Sequence, residues 1–377
     1  MPRRTLGTRP PSLKSVLERC VNVAEVELLA KRKLRRAYYD YYAGGAEDER
    51  SVARNRSGFE RYALLHRVLV DVERIELATD VLGSPVSMPV LIAPTAYHRL
   101  ADRDGETATA RAAGASGTLM AVSTLATRSL EEIAAAATGP LWFQLYVYRD
   151  RGVTERLIAR AESAGYRAIV VTVDTPRLGR RERDVRNQFA LRAGLTIANF
   201  QGEGAEREGR GHHGNLAAYA AAQIDPSLTW ESIDWIRKQT RLPIVLKGIV
   251  RPDDAARAVA HGAAGVWVSN HGGRQLDCCE ATVLALPGVV KAVNGRAEVY
   301  VDGGIRRGTD VLKTIALGAR AVFIGRPVLW GLAAAGEKGV RHVLEMLREE
   351  LALSLALAGC PDLESVDATL VVRCDAS

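Results

Sequence analysis

Eight short apolar runs that alternate with Ala-rich helical segments predict an α/β fold, a closed (β/α)8 TIM barrel. The runs are 89–93, 118–122, 141–147, 168–173, 243–246, 264–268, 298–301 and 321–324. They are continuously apolar, as parallel strands covered by helices must be. Helical periodicity fits between them, for example at 105–116, 129–137, 152–164, 252–262 and 308–317. A doubly wound open sheet is the alternative. It would carry Gly-x-Gly-x-x-Gly after its first strand, where this chain has Pro94-Thr95-Ala96.

The chain divides into a helical extension (1–86), the barrel (87–360) and a C-terminal tail (361–377). Residues 13 to about 62 read as helical: Ser12 can cap, and Val16, Leu17, Cys20 and Val21 recur at helical spacing. Tyr38, Tyr39, Tyr41 and Tyr42 cannot all face one core, so at least one hydroxyl should reach a pocket or solvent. Gly44-Gly45 ends that helix. After the fourth strand, more than fifty residues pass before the next good helix, near Ser232. The Gly-rich, charged stretch from Gly202 to Gly211 within this long loop predicts a mobile lid, with His212 and His213 solvated. The stretch 332–358 should supply one or two amphipathic helices that close the barrel.

Composition narrows the class. Of the 377 residues, 47% are hydrophobic and 25% charged, ordinary for a globular enzyme. The net charge of +7 comes from arginines spread along the chain. The one dense basic run, Lys31 to Arg36, reads as a solvated helix face, with a membrane-surface or nucleic-acid role the minor alternative. Five cysteines, an odd count without Cys-x-x-Cys, point to a reduced, cytoplasmic protein without a zinc site. No apolar run approaches the roughly 20 residues of a membrane span, and no signal peptide is evident.

In a barrel, chemistry sits just past the C-terminal ends of the strands. The richest end is the sixth, V-S-N-H-G-G-R-Q-L-D, with His271 and Arg274 about two glycines. An imidazole can take a proton, and a guanidinium can hold a carboxylate through two parallel hydrogen bonds. The alternative is a surface loop whose His and Arg bond locally. The other ends bring Thr95 and Ala96, Ser123, Gln144 with Tyr146, Thr172 with Asp174, and Lys247. Gln144/Tyr146 and Thr172/Asp174 are two apart, so the pleat sets each pair on one face. Asp302-Gly303-Gly304-Ile305-Arg306 and Gly325-Arg326 end the last two strands. Glycine-rich turns with arginines there build a phosphate site from amides and guanidinium groups; two ordinary turns are the alternative. Lys247 inside a barrel needs an anionic partner, either a reduced flavin or a structural aspartate.

The pieces YDYYAGGAED (39–48), APTA (93–96), QLYVYRD (144–150), TVDTPRLGRRERDVRN (172–187), LKG (246–248), SNHGGRQLD (269–277), DGGIRRGTD (302–310) and FIGRP (323–327) carry a resemblance. In order and content the chain resembles the FMN-dependent 2-hydroxy-acid oxidase and dehydrogenase family, which includes glycolate oxidase, lactate oxidase and mandelate dehydrogenase. The resemblance implies FMN as cofactor, oxidation of an (S)-2-hydroxy acid to a 2-oxo acid, and a homotetramer. It implies His271 as base, Asp174 as its partner, and Arg274 and Arg181, helped by Tyr41, on the substrate carboxylate, with Tyr146 on the hydroxyl. It implies Thr95 and Ala96 near flavin N5, and Ser123, Gln144, Thr172 and Lys247 along the ring edge. Ser269 and Asp302 fall on the ribityl side, and Gly303, Arg306, Gly325 and Arg326 on the phosphate.

Leu125 stands where plant glycolate oxidase has a tryptophan, which implies room for a larger substrate. Ala96 is the oxidase type, which implies oxygen as acceptor and hydrogen peroxide as product. A dehydrogenase using a quinone or protein acceptor, or a relative acting on an unusual peptide-derived substrate, is the alternative. His98, two residues after Ala96, is expected to be structural or to stand behind the site rather than be catalytic.

Overall fold

The computed structural model describes residues 16–200 and 223–374. Its centre is a closed barrel of eight parallel strands in chain order: β1 (Val90–Ile92), β2 (Met120–Ser123), β3 (Leu141–Leu145), β4 (Ile169–Thr172), β5 (Ile244–Ile249), β6 (Gly265–Val268), β7 (Glu298–Asp302) and β8 (Ala321–Ile324). β8 pairs with β1, which closes the ring. The expected (β/α)8 barrel is therefore present. Gly202–Gly211, His212 and His213 lie outside the described residues, as does Ser12.

The helices around it start where local chemistry allows. Ser129 and Glu132 form a reciprocal capping box for Leu130–Ala136. The Asp150 side chain accepts from Gly152 N–H at the start of Arg151–Ser163. Pro252 opens Pro252–Ala260, where its missing N–H costs nothing. Thr282–Val293 forms between β6 and β7 despite Pro287 in its interior. The last helix, Arg326–Ala358, is one long element kinked at Ala335 and Gly336.

The barrel interior explains where the site must be. Ala121, Trp142, Val170, Val245, Trp267, Tyr300 and Phe323 form one buried cluster. Trp267 stacks on Phe323 with ring centroids 3.6 Å apart. Side chains two apart along a strand share a face. For the first six, the next residue on the same face is Ser123, Gln144, Thr172, Lys247, Ser269 or Asp302 in turn; for Phe323 it is Gly325. All six are buried. The interior thus changes from apolar to polar one step from the C-terminal end of the strands. A hairpin at Thr79–Val81 and Ser84–Val86 adds Val81 and Val86 to the apolar cluster.

The extension and the tail differ from the sequence reading. The stretch read as helical to about residue 62, with one helix ending at Gly44-Gly45, holds three short helices in its described part, Val23–Lys33, Arg36–Ala43 and Arg50–Ser57, so the break at residue 34 is the unexpected one. The breaks are an extended Leu34 and the Gly44-Gly45 turn. The residues read as a tail are tied down: Val371–Arg373 pairs antiparallel with Tyr62–Leu64, and Arg67 donates to the Ser365 carbonyl at 2.7 Å. Among the described residues no helix is long and apolar enough to cross a membrane.

Candidate active site

The polar rim opens into a cavity of about 280 Å³. Of the residues singled out in the sequence, Tyr41, Thr95, Ala96, Ser123, Gln144, Tyr146, Thr172, Arg181, Lys247, His271, Arg274, Asp302, Gly303, Arg306, Gly325 and Arg326 line it. Asp174 and Ser269 stand just behind and act on residues that do: Asp174 on His271, and Ser269 on Lys247 and Asp302.

His271 follows β6 with φ +57°, a left-handed conformation rare for a residue with a side chain. Its backbone N–H donates to Ser269 Oγ at 3.1 Å, and its Nδ1 lies 2.9 Å from Asp174 Oδ1. Both side chains are largely buried, at 17% and 13% exposed. Asp174 approaches because residue 248 is glycine. A Cβ there would lie 2.6 Å from Asp174 Cβ, and φ of +112° favours glycine in any case. Burial lowers the His271 pKa more than the Asp174 charge raises it. Burial alone would raise the Asp174 carboxyl, but His271 and then Lys247 hold it below its ordinary value. The pair is therefore a neutral imidazole, with Nδ1–H held by a carboxylate and Nε2 able to accept a proton. Among the described residues no hydrogen bond occupies that Nε2.

Positive charge surrounds this base. Arg274 Nη1 donates to the carbonyls of Tyr41 and Gly44, and its guanidinium lies 5.0 Å from the Tyr41 ring centroid. Burial, then the neighbouring Arg181, brings the Arg274 pKa down to about 10, so it remains cationic at neutral pH. Arg181 Nε is buried without a hydrogen-bond partner among the described residues. Buried donors of this kind call for an anion. The Tyr146 hydroxyl makes no hydrogen bond to a described residue, and burial pushes its pKa up, so it remains a donor.

The rim below is already a network. Gln144 Nε2 donates to Thr172 Oγ1 at 2.9 Å. Lys247 Nζ lies 2.9 Å from Ser269 Oγ and 3.2 Å from Asp302 Oδ2. Trp267 Nε1 donates to the same Asp302 oxygen at 3.0 Å. Of the two partners the sequence allowed Lys247, the structural aspartate is present. At the far end Arg306 Nε is buried and unpartnered among the described residues, beside the turns at Gly303, Gly304 and Gly325. A side chain at residue 304 would collide with the Asn55 carbonyl, so this turn must be glycine. Arg326 reaches the cavity but donates to three backbone carbonyls, those of Tyr42, Gly272 and Gly44. Its guanidinium braces the Tyr42–Gly44 and Gly272 backbones. Burial lowers the Arg306 pKa to about 10 and the Arg326 pKa to about 9. Two cations beside glycine turns at the start of helix Arg326–Ala358 suit a phosphate.

Some lining residues were not read from the sequence as site residues. Leu178, Asp184, Phe189 and Ile224 come from the segments after β4, and Phe189 stacks on Tyr41 with centroids 4.3 Å apart. Leu178, Phe189 and Ile224 are apolar residues between regular elements and carry no local signal that they face a ligand; Asp184, on the short helix Glu182–Arg186, reads as one charge among many.

Proton removal beside a carboxylate, above a rim built for a flat heterocycle and its phosphate, is the chemistry of a flavin-dependent oxidoreductase. The chain belongs to the FMN-dependent dehydrogenase family, whose model matches residues 30–373. It is 53% identical over 348 residues to glycolate oxidase 3 of Arabidopsis thaliana, covering 92% of this chain and 95% of that protein. Glycolate oxidase of Spinacia oleracea is 52% identical over 345 residues, covering 92% and 94%. A solved structure of mandelate oxidase with (S)-4-hydroxymandelic acid is similar at a TM-score of 0.87 and 46% identity, covering 92% of this chain and 97% of that one. The protein is an FMN enzyme of the 2-hydroxy-acid-oxidising class. The unpartnered Arg306 Nε, the glycine turns and the buried polar rim fit FMN.

Proposed function

We propose that the protein oxidises (S)-2-hydroxy acids larger than glycolate to 2-oxo acids, with oxygen as acceptor and hydrogen peroxide as second product. The observation that carries this is His271, held from behind by Asp174, lining one cavity with Arg181 and Arg274. Arg274 and Arg181 hold the substrate carboxylate, with Tyr41 beside them. Tyr146 donates to the substrate hydroxyl oxygen. His271 Nε2 takes the proton that leaves the reacting carbon–hydroxyl unit, and Asp174 stabilises the imidazolium that results. Bound FMN supplies the acceptor for the two electrons. Thr95, Ala96, Ser123, Gln144, Thr172 and Lys247 would hold its ring. Asp302, backed by Ser269, would hold its ribityl chain, and Gly303, Arg306, Gly325 and the start of the helix at Arg326 its phosphate. Lys247 would meet negative charge gathered on the ring.

A larger substrate is supported by the apolar wall of Leu125, Leu178 and Ile224. Oxygen is supported by the oxidases among the relatives. A reducing, cytoplasmic location agrees with five free cysteines, and assembly as a homotetramer remains part of the same reading.

The test is the visible spectrum of the yellow protein, mixed without air with a series of (S)-2-hydroxy acids and then aerated. Bleaching should be faster for longer aliphatic or aryl acids than for glycolate, and colour should return at once with peroxide. Slow recovery would replace oxygen by a quinone or protein acceptor. No bleaching by any simple 2-hydroxy acid would overturn the substrate reading.

The pH dependence follows from the His271 environment. The imidazole must be neutral to accept the proton, and burial holds its pKa low. The bleaching rate should fall as pH drops through a single ionisation below about 6.5, the ordinary imidazole value, and be level just above it. An acid limb centred clearly above that value would remove His271 as the base.

A further inference from the structure

The chain after β4 is irregular where the site depends on it. Between Thr172, the end of β4, and the short helix Glu182–Arg186 no regular element holds residues 173–181, yet Asp174 and Arg181 both lie there. The Asp174 side chain is lightly held. Its Oδ1 meets His271 Nδ1 at 2.9 Å and accepts from the Thr175 hydroxyl at 3.1 Å, while Oδ2 is buried without a hydrogen-bond partner among the described residues. A carboxylate with so few donors must be aimed by its main chain.

Gln275 holds that main chain. Its Nε2 donates to the Asp174 carbonyl at 2.9 Å and to the Arg177 carbonyl at 2.8 Å, and its Oε1 accepts from Gly179 N–H at 3.1 Å. Both amide hydrogens and the amide oxygen are used, a combination that suits a primary amide. Gln275 is buried. The two loops touch closely: a Cβ at residue 179 would lie 2.4 Å from the Arg274 carbonyl.

The β6 side of this contact is fixed independently. Arg274 donates to the Tyr41 and Gly44 carbonyls. Asp277 accepts from Ser51 N–H at 2.8 Å and Arg50 N–H at 3.2 Å, at the start of helix Arg50–Ser57. The far end of the β4 segment has its own ties as well. The Arg180 carbonyl accepts from Glu47 N–H at 2.9 Å, and Asn187 donates to Asp40 at 2.9 Å. Arg181 is therefore anchored on both sides by contacts that Gln275 does not make. From Asp174 to Gly179, the main-chain ties run to Gln275.

We propose that Gln275 is a positioning residue for the reaction: by holding the main chain of 174–179 it aims the Asp174 carboxylate at His271. This rests on the reading of His271 as the base.

Anaerobic bleaching of the FMN-loaded protein tests this, measured against concentration of the (S)-2-hydroxy acid that bleaches it fastest. The curve gives a limiting rate and a half-saturating concentration. Gln275→Met keeps the length of the side chain and removes its three hydrogen bonds. It should lower the limiting rate by roughly ten- to a hundredfold, the effect of a small misplacement of a catalytic group. The half-saturating concentration should change little, because Arg181 and Arg274 keep their own anchors. In an Asp174→Ala background, itself slowed at least as much, Gln275→Met should cause no further slowing. If Gln275→Met does not fold, Gln275→Glu replaces it. That variant keeps the acceptor for Gly179 N–H but offers the two carbonyls no amide hydrogens, and should lower the rate in the same way. Rate losses that multiply in the double variant, equal losses in rate and half-saturation, or a lower melting temperature with an unchanged rate would overturn the proposal. A wild-type protein that no 2-hydroxy acid bleaches would overturn the functional reading instead.

Discussion

Replacing His271 with alanine is expected to slow substrate-driven bleaching of the flavin by roughly 10²–10⁴-fold, the usual worth of a positioned general base, while FMN stays bound. Two features set that expectation. The ring is buried, oriented through Nδ1 by Asp174 at 2.9 Å, and low in pKa. A neutral imidazole fixed in one tautomer is ready to take a proton at Nε2. Apart from Ser269, whose bond to the residue 271 N–H survives the substitution, the groups assigned to FMN come from other strand ends, so cofactor affinity should change little. Anaerobic stopped-flow mixing of the yellow variant with its best substrate measures this. Near-normal bleaching would mean that another group takes the proton, and Tyr146, whose pKa burial raises, is poorly suited to do so.

Lys247→Met is expected to act on both stability and chemistry. Lys247 and Asp302 form an ion pair at 3.2 Å with side chains only 6% and 10% exposed. Removing one partner leaves the other charge buried, which costs about 3–5 kcal/mol in comparable sites. Asp302 keeps its donors Ser269 and Trp267, so the lower end of that range is expected. Urea unfolding of the apoprotein reads this loss directly. The Lys247→Met, Asp302→Asn double variant removes the stranded charge and should regain most of the stability. Bleaching should remain slow in both proteins, because neither restores a cation beside the ring. A Lys247→Met apoprotein as stable as the wild type would show that the pair does not hold the rim together. Wild-type bleaching in the double variant would show that its charge is not needed.

The cost in the first arm and the recovery in the second separate two roles that share one ammonium. In the protein without cofactor, Lys247 balances Asp302. With FMN bound it would also face negative charge on the ring. The two partners considered for Lys247 are thus compatible, since a rim that is electrically balanced before the cofactor arrives avoids the cost of an isolated buried cation.

Much of the site was legible because it is a product of strand periodicity. Once 141–147 or 243–246 is read as a strand, alternation places Gln144 and Lys247 on the barrel's inner face at its C-terminal end. The same rule yields Ser123, Thr172 and Asp302. Boundaries moved by a residue or two; β5, for example, runs on to Ile249 through Gly248. The two glycine turns and the His271–Arg274 spacing were also local signals.

Other parts depended on contacts between segments far apart in the chain. The place of Tyr41 over the cavity depends on Arg326 and Arg274 donating to carbonyls of the 41–44 backbone. The strand at Val371–Arg373 exists because Tyr62–Leu64 offers it an edge. Nothing within 361–377 encodes that partner. His98 shows the same division. Its place just after Ala96-Tyr97 marked it as structural or behind the site, but only packing showed that its ring joins Thr109 to Thr95. Sequence alone determined the barrel and the side chains on the strand ends, because each follows from a period or spacing of a few residues, and the resemblance of its motifs to a known family implied the cofactor. Tertiary structure decided the tautomer of His271, the balance of Lys247 against Asp302 and the bracing role of Arg326, because these are set by distances between residues brought together only when the barrel closes.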